Sequence, residues 1–291
     1  MKRSHYFFIV ALIATIAGGI FAGQQMSVKE TIIFFPIDPA ASYTEAATTI
    51  TLKGRQENGG YTVDWRAGSV LDRKAYLRQD ISLLFANGRL QKIFRKWKQG
   101  ADKLVQETEV EGKDSAKFEA ISFHYSELHE GEDKITSSQR MSGDWLYVID
   151  SSFSPLYSFR VPNNKEDKEW KKIIDQNLKQ QLRHSWSKAM KANSINEEKY
   201  EEIPLTDMVK FEGAALPGLN QRESAAVIGR LWEGIYKNYV LGIKKRDGTI
   251  IDPAGSTLPL VLLAKDRSEL LVVFETSDGE PIILKQIVDR H

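Results

Sequence analysis

Only a few residues in this chain have types and spacings that could do chemistry. Among its five histidines, His124 and His129 bracket Glu127 in the stretch FHYSELHE. An imidazole beside a carboxylate suits general acid–base transfer or metal ligation. On a strand, side chains alternate, so Glu127 and His129 would share one face and His124 would take the other. A zinc site of the His-Glu-x-x-His kind needs helical one-turn spacing between its histidines, which this stretch lacks. Polar residues near a strand end are the simpler account.

Other chemistries find less support. Ser256, in DPAGSTLP, lacks the flanking glycines and the strand-to-helix setting of a nucleophile elbow. His184 sits beside Trp186 in a helical pattern and reads as an exposed helix residue. A carboxylate pair such as Asp144 with Asp150 carries little information among 39 acids. No phosphate-cradling glycine loop occurs. The chain has no cysteine, which removes thiolate nucleophiles, Cys-based zinc sites, disulfides and lipoprotein anchoring together. The sequence therefore assigns no catalytic residue, no metal ligand and no cofactor.

The segment Lys92–Lys98, KIFRKWK, stands out for a different reason. Its cations and aromatics are suited to anionic polymers or lipid head groups, although a solvated strand or helix face explains it as simply. The six tryptophans read first as packing residues.

The elements that would position these groups follow from periodicity. Ala47–Lys53 and Tyr61–Ala67 alternate around a turn at Asn58-Gly59-Gly60, the signature of a hairpin. Residues 69–105 fit two patterns; the reading adopted is a helix over Leu71–Arg78 and then a hairpin across Asn87-Gly88. Strand-like runs at 117–126 and 134–152, with turns at 130–133 and at Ser142-Gly143-Asp144, suggest an antiparallel meander.

After Pro162-Asn163-Asn164, acids in the first turn and an apolar stripe from Trp170 through Ile174, Leu178, Leu182 and Trp186 to Met190 mark an amphipathic helix of about 26 residues. Asn193–Gly218 reads as a long connector. Asn220 with Glu223 has capping-box spacing and opens a second helix. Three closing strands are expected at 258–264, 270–275 and 282–288.

The amino terminus predicts location. Lys2 and Arg3 precede an uncharged apolar run, Tyr6–Ala22, of 17 residues. As a helix it would span roughly 25 Å, close to a bilayer core of about 30 Å. Positive charge before the run keeps that end in the cytoplasm and places the rest outside. The run is long for a cleaved signal peptide and Phe21-Ala22-Gly23 is a poor cleavage site, so a retained anchor is expected over a secreted, cleaved form.

Beyond Ala22 the chain holds 38 basic and 39 acidic residues. A nucleic-acid binder would show a basic excess to neutralise phosphates, so nucleic acid is not an expected partner. With 42% hydrophobic and 27% charged residues the chain has ample material for a folded core.

The run YLRQDISLLFANGRL, followed by a charged helix and the closing meander, resembles uncharacterised single-pass extracytoplasmic proteins of Bacillus-type (Gram-positive) bacteria. That resemblance implies no activity and no site residues. The expected fold is α+β. A signal anchor over 1–24, with its transmembrane helix at 6–22, and a stalk over 25–45 precede an antiparallel, mostly-β region over 46–161. An α+β region over 162–291 then supplies two amphipathic helices and a three-stranded meander, in one domain with the β region or separate from it. The expected function is a non-enzymatic binding or interaction domain at the cell envelope, with a protein or envelope polymer as partner. A cell-envelope hydrolase or transferase acting through unrecognised carboxylates, a secreted carrier of an apolar ligand and a structural subunit of a membrane complex are the competing readings.

Overall fold

The computed structural model describes residues 32–57, 59–131 and 134–288. The expected anchor lies outside the described residues. None of the described helices is long and apolar enough to cross a membrane.

A six-stranded antiparallel sheet forms the first half, with β1 at Tyr43–Arg55, β2 at Tyr61–Ala86, β3 at Arg89–Gly112, β4 at Ala116–Glu130, β5 at Lys134–Ser151 and β6 at Ser154–Phe159. The long strand β2 organises it. Along one edge β2 pairs with β3 for its whole length; along the other it pairs first with β1 and then with β4. A register shift between Val70 and Ala75 breaks the ladder at the point of exchange. An irregularity of that kind bends a strand, and here the sheet folds back on itself. The layer of β1 and the first half of β2 lies over β4 and β5, enclosing Ile50, Val63, Trp65, Leu84, Phe118 and Leu146. The Trp65 ring stacks on Phe94 across this fold, with centroids 3.8 Å apart.

Leu71–Arg78 is thus strand and bulge, not the expected helix. The spacing of Leu71 and Ala75 reflects burial against Ala41, Tyr43 and Leu128, with the exposed Asp72, Arg73 and Lys74 looped out between them. The hairpin across Asn87-Gly88 is present. Both residues have positive φ, 47° and 71°, as a two-residue type I′ turn requires.

The second half contributes helix α1 at Lys165–Ala192, helix α2 at Gln221–Ile235 and a four-stranded sheet in the order β12-β11-β10-β7. Its strands are β7 at Tyr200–Pro204, β10 at Leu260–Ala264, β11 at Glu269–Glu275 and β12 at Pro281–Ile287. A short ribbon pairs β8, Ile243–Lys244, with β9, Ile250–Ile251. Asn164 caps α1 by accepting from Asp167 N–H, and Asn220 with Glu223 closes a capping box on α2. The closing meander is present as expected. The connector at 193–218 is not plain loop, because Ile203 and its neighbours add β7 to the edge of β10. Ser142-Gly143-Asp144 lies within β5 rather than at a turn, where Gly143 lets Ala120 O approach to 3.0 Å of a would-be Cβ position.

The two halves share one core. Alternate residues of β2, β4 and β5, among them Ile81, Leu83, Phe85, Phe123 and Met141, pack against Leu182 and Trp186 of α1, Ile228 and Trp232 of α2, and the second sheet. The tip of the β2–β3 hairpin joins the sheets, since Leu90 N–H donates to Ser256 O and Leu258 N–H donates to Gly88 O. Residues 32–38, expected as part of a stalk, also lie on this body. Ile32 is buried in the shared core, Tyr125 Oη donates to Ile33 O, and Asp38 N–H donates to Ser137 O.

Candidate functional site

The polar end of the folded sheet brings together residues that no local motif connects. Asp80 on β2, His124 on β4 and Ser142 on β5 occupy neighbouring strands. Asp80 Oδ2 is 2.7 Å from His124 Nδ1, and His124 Nε2 is 2.8 Å from Ser142 Oγ. Carboxylate, imidazole and hydroxyl in this order form the constellation of a hydrolase triad.

The surroundings argue against that use. Asp80 and His124 are fully buried, and Ser142 is 9% exposed. Ser142 Oγ also meets Thr48 Oγ1 at 2.7 Å, and Thr48 Oγ1 continues to Ser122 Oγ at 2.5 Å. On the other side Ser69 donates to Asp80, and Arg78 donates to Ser69 and to Asp102 O. A small hollow nearby, about 160 Å³, is walled by Met141, Phe211 and Glu212, without Ser142. Burial pushes the Glu212 carboxyl above its ordinary range, opposed by the Met141 N–H, Arg140 and His124. The hydroxyls, imidazole and carboxylate satisfy one another in a closed network, which is how buried polar groups avoid a desolvation penalty.

The residues singled out from sequence are dispersed. His129 and Glu127 pair at 2.5 Å near the end of β4, on the opposite face from His124, with Tyr76 stacked on the His129 ring. His184 is exposed on α1. Ser256 is buried and shares a 2.7 Å hydrogen bond with Tyr239 Oη. Asp144 pairs with Arg160, and Asp150 with Arg55. Among the described residues no three histidines or acids gather closely enough to hold a metal ion.

A larger groove lies elsewhere, between α2 and the strands β11 and β12, with a volume of about 570 Å³. Ligand pockets are commonly about 300–1,000 Å³. Leu231, Ile235, Leu270, Val272 and Leu284 provide apolar walls, and Arg230, Lys237 and Lys285 are the cationic groups of its lining. Phe34 forms part of the wall, held by donation from its N–H to Glu233 Oε2 at 3.0 Å. Glu233 Oε1 is in turn paired with Lys237 at 2.6 Å.

Two backbone features shape this groove. Gly234 lines it, and a Cβ there would meet nothing within 4 Å, so the glycine borders open space. Just beyond it α2 widens into a π-turn, Tyr236–Val240, which buries Tyr236, Tyr239 and Val240 while Lys237 and Asn238 line the groove. Such turns recur at functional sites. Sequence reading missed the groove because its walls come from three distant stretches of chain, with Phe34 lying 199 residues from Glu233; the helix stripe showed only that α2 was amphipathic.

No family model, curated protein or solved structure matches this chain.

Proposed function

We propose that this protein is a membrane-anchored extracytoplasmic binding protein of the cell envelope, and that the groove between α2 and β11–β12 holds its ligand. The groove carries this reading, with a lining that combines apolar side chains, the cations Arg230, Lys237 and Lys285, and Phe34 from the first described segment. A cavity of this lining favours a ligand with an apolar body and a polar or anionic end. Binding is favoured over hydrolysis because the triad-like group is closed, and the groove's own carboxylate, Glu233, is already engaged by Phe34 N–H and Lys237. The location rests on the apolar run at 6–22 and the positive residues before it.

Full-length protein purified from its native membrane and examined by native mass spectrometry tests the binding. Wild type is expected to carry a bound mass that Gly234→Trp lacks at unchanged melting temperature. Identical spectra for both proteins would overturn the groove assignment. Protease treatment of intact protoplasts tests the location: digestion of the body is expected, and protection until lysis would place it inside.

A further inference from the structure

The strand β3 leaves an edge open. It pairs with β2 alone, so among the described residues its outer edge has no strand beside it. Long open edges invite association, and lysines on them are a common guard. Here the cations are more concentrated than a guard requires. Arg95, Lys96, Lys98 and Lys103 are all exposed, and their side chains make no ion pair or hydrogen bond among the described residues. Elsewhere Lys134, Arg160, Arg183 and Lys237 pair with acids, and the exposed Lys168, Lys172 and Lys179 of α1 are interspersed with Glu166, Glu169 and Asp175, whereas no acid interrupts β3 from Arg95 to Lys98.

The register places these groups on both faces of the edge. Arg95 and Trp97 lie opposite Ile81 and Gln79, on the face that packs against the helices. Lys96 and Lys98 lie opposite Asp80 and Arg78, on the enclosed face. Trp97 is 40% exposed, and its amphipathic ring is of the kind that settles at a lipid–water boundary.

Trp97 pairs with Gln79, and Gln79 pairs with Tyr125. Trp97 is therefore two strands from Tyr125, about 10 Å across the sheet. Tyr125 Oη holds Ile33 O at 2.7 Å, and Ile33 itself is half-exposed. The chain thus meets the body over β4, two strands from Trp97, and runs on beside β5 through Ser137. Only nine residues, 23–31, separate Ala22 from Ile32, a tether of about 30 Å at full extension.

We infer that the β3 edge from Arg95 to Lys103, where four cations and Trp97 outweigh the single acid Asp102, docks the body on the surface of an anionic lipid bilayer. The inference rests on the anchor proposed above, which brings this edge within reach of a membrane. Unpaired cations gain from anionic head groups without giving up partners in the fold, and the exposed Trp97 offers apolar contact at the boundary.

The chain has no cysteine, so one introduced at Gln99 reports a single position. Full-length Gln99→Cys, nitroxide-labelled, is reconstituted into nanodiscs of phosphatidylcholine alone or with phosphatidylglycerol. A label at Lys172 on α1 serves as the control. The Gln99 label is expected to become more accessible to oxygen than to a water-soluble relaxant only in phosphatidylglycerol discs. High salt, or replacement of Arg95, Lys96, Lys98 and Lys103 by Gln, should abolish the change, and each single replacement should weaken docking about fivefold. Equal accessibility in the two disc types would overturn the docking and leave the anchor standing. Protein that fails to enter discs yet floats with phosphatidylglycerol vesicles in a salt-sensitive way would overturn the anchor and leave the docking standing. Equal protection of Gln99 by soluble poly(glycerol phosphate) without lipid would overturn the lipid assignment in favour of an envelope polymer.

Discussion

The Phe34 ring lies so close over Gly229 that a Cβ on that glycine would fall 2.0 Å from Phe34 Cδ2. The contact seats the first described segment on α2, next to the groove, and only a residue without a side chain permits it. Gly229→Ala gains helix propensity of about 1 kcal/mol, but the clash should cost about 1–3 kcal/mol and release the Phe34 segment. Urea unfolding together with hydrogen exchange at Phe34 N–H checks this. Phe34→Ala in the same chain should recover most of the loss; additive effects in that double-mutant cycle would refute the contact.

Gly234 should behave in the opposite way. Its Cβ position is open, so Gly234→Ala is expected to stabilise α2 by about 0.5–1 kcal/mol. A melting temperature that falls would show that the helix needs this glycine for its own packing, and that the groove is not simply open space.

The buried network separates two readings of Ser142. If it is structural, Ser142→Ala should cost about 1 kcal/mol, and His124→Ala about 3 kcal/mol because Asp80 loses a buried partner. Chemical denaturation of both variants measures these losses. A fully stable Ser142→Ala protein that has lost a hydrolase activity present in wild type would reinstate the catalytic triad.

Glu212 makes stability depend on pH in a defined sense. Burial raises its carboxyl above the ordinary value of 4.5, so across that window the folded state binds more proton than the unfolded chain. Stability should then fall as pH rises from 4.5 to the raised value and level off above it. Glu212→Gln removes the titrating carboxyl, and denaturation midpoints measured across that range should lose that slope. A slope unchanged by the substitution would assign it to other groups.

Legibility in the sequence followed how local each signal was. Asn87-Gly88 demanded a tight hairpin, and the Asn220–Glu223 capping box and the acids after Pro162-Asn163-Asn164 marked the helix starts, because each depends on backbone groups within a few residues. Leu71–Arg78 misled for the same reason: two buried residues flanking a bulge imitate one helical turn. The polar network had a faint signal in Arg78, Asp80 and Ser82, polar at alternate positions of an otherwise apolar strand. That Thr48, His124 and Ser142 are its partners was invisible, since they lie 18 to 94 residues apart along the chain.

The sequence by itself determined the hairpins, the capped helices, the closing meander, the absence of thiol chemistry and the apolar run that predicts export. Those are matters of composition and of interactions between near neighbours. Only the tertiary structure decided that β2 bends and exchanges partners, that His124 is sealed while Glu127 and His129 are not, and that Phe34, α2 and β12 enclose a groove. Such features depend on which faces bury one another, and burial is settled by the whole core at once.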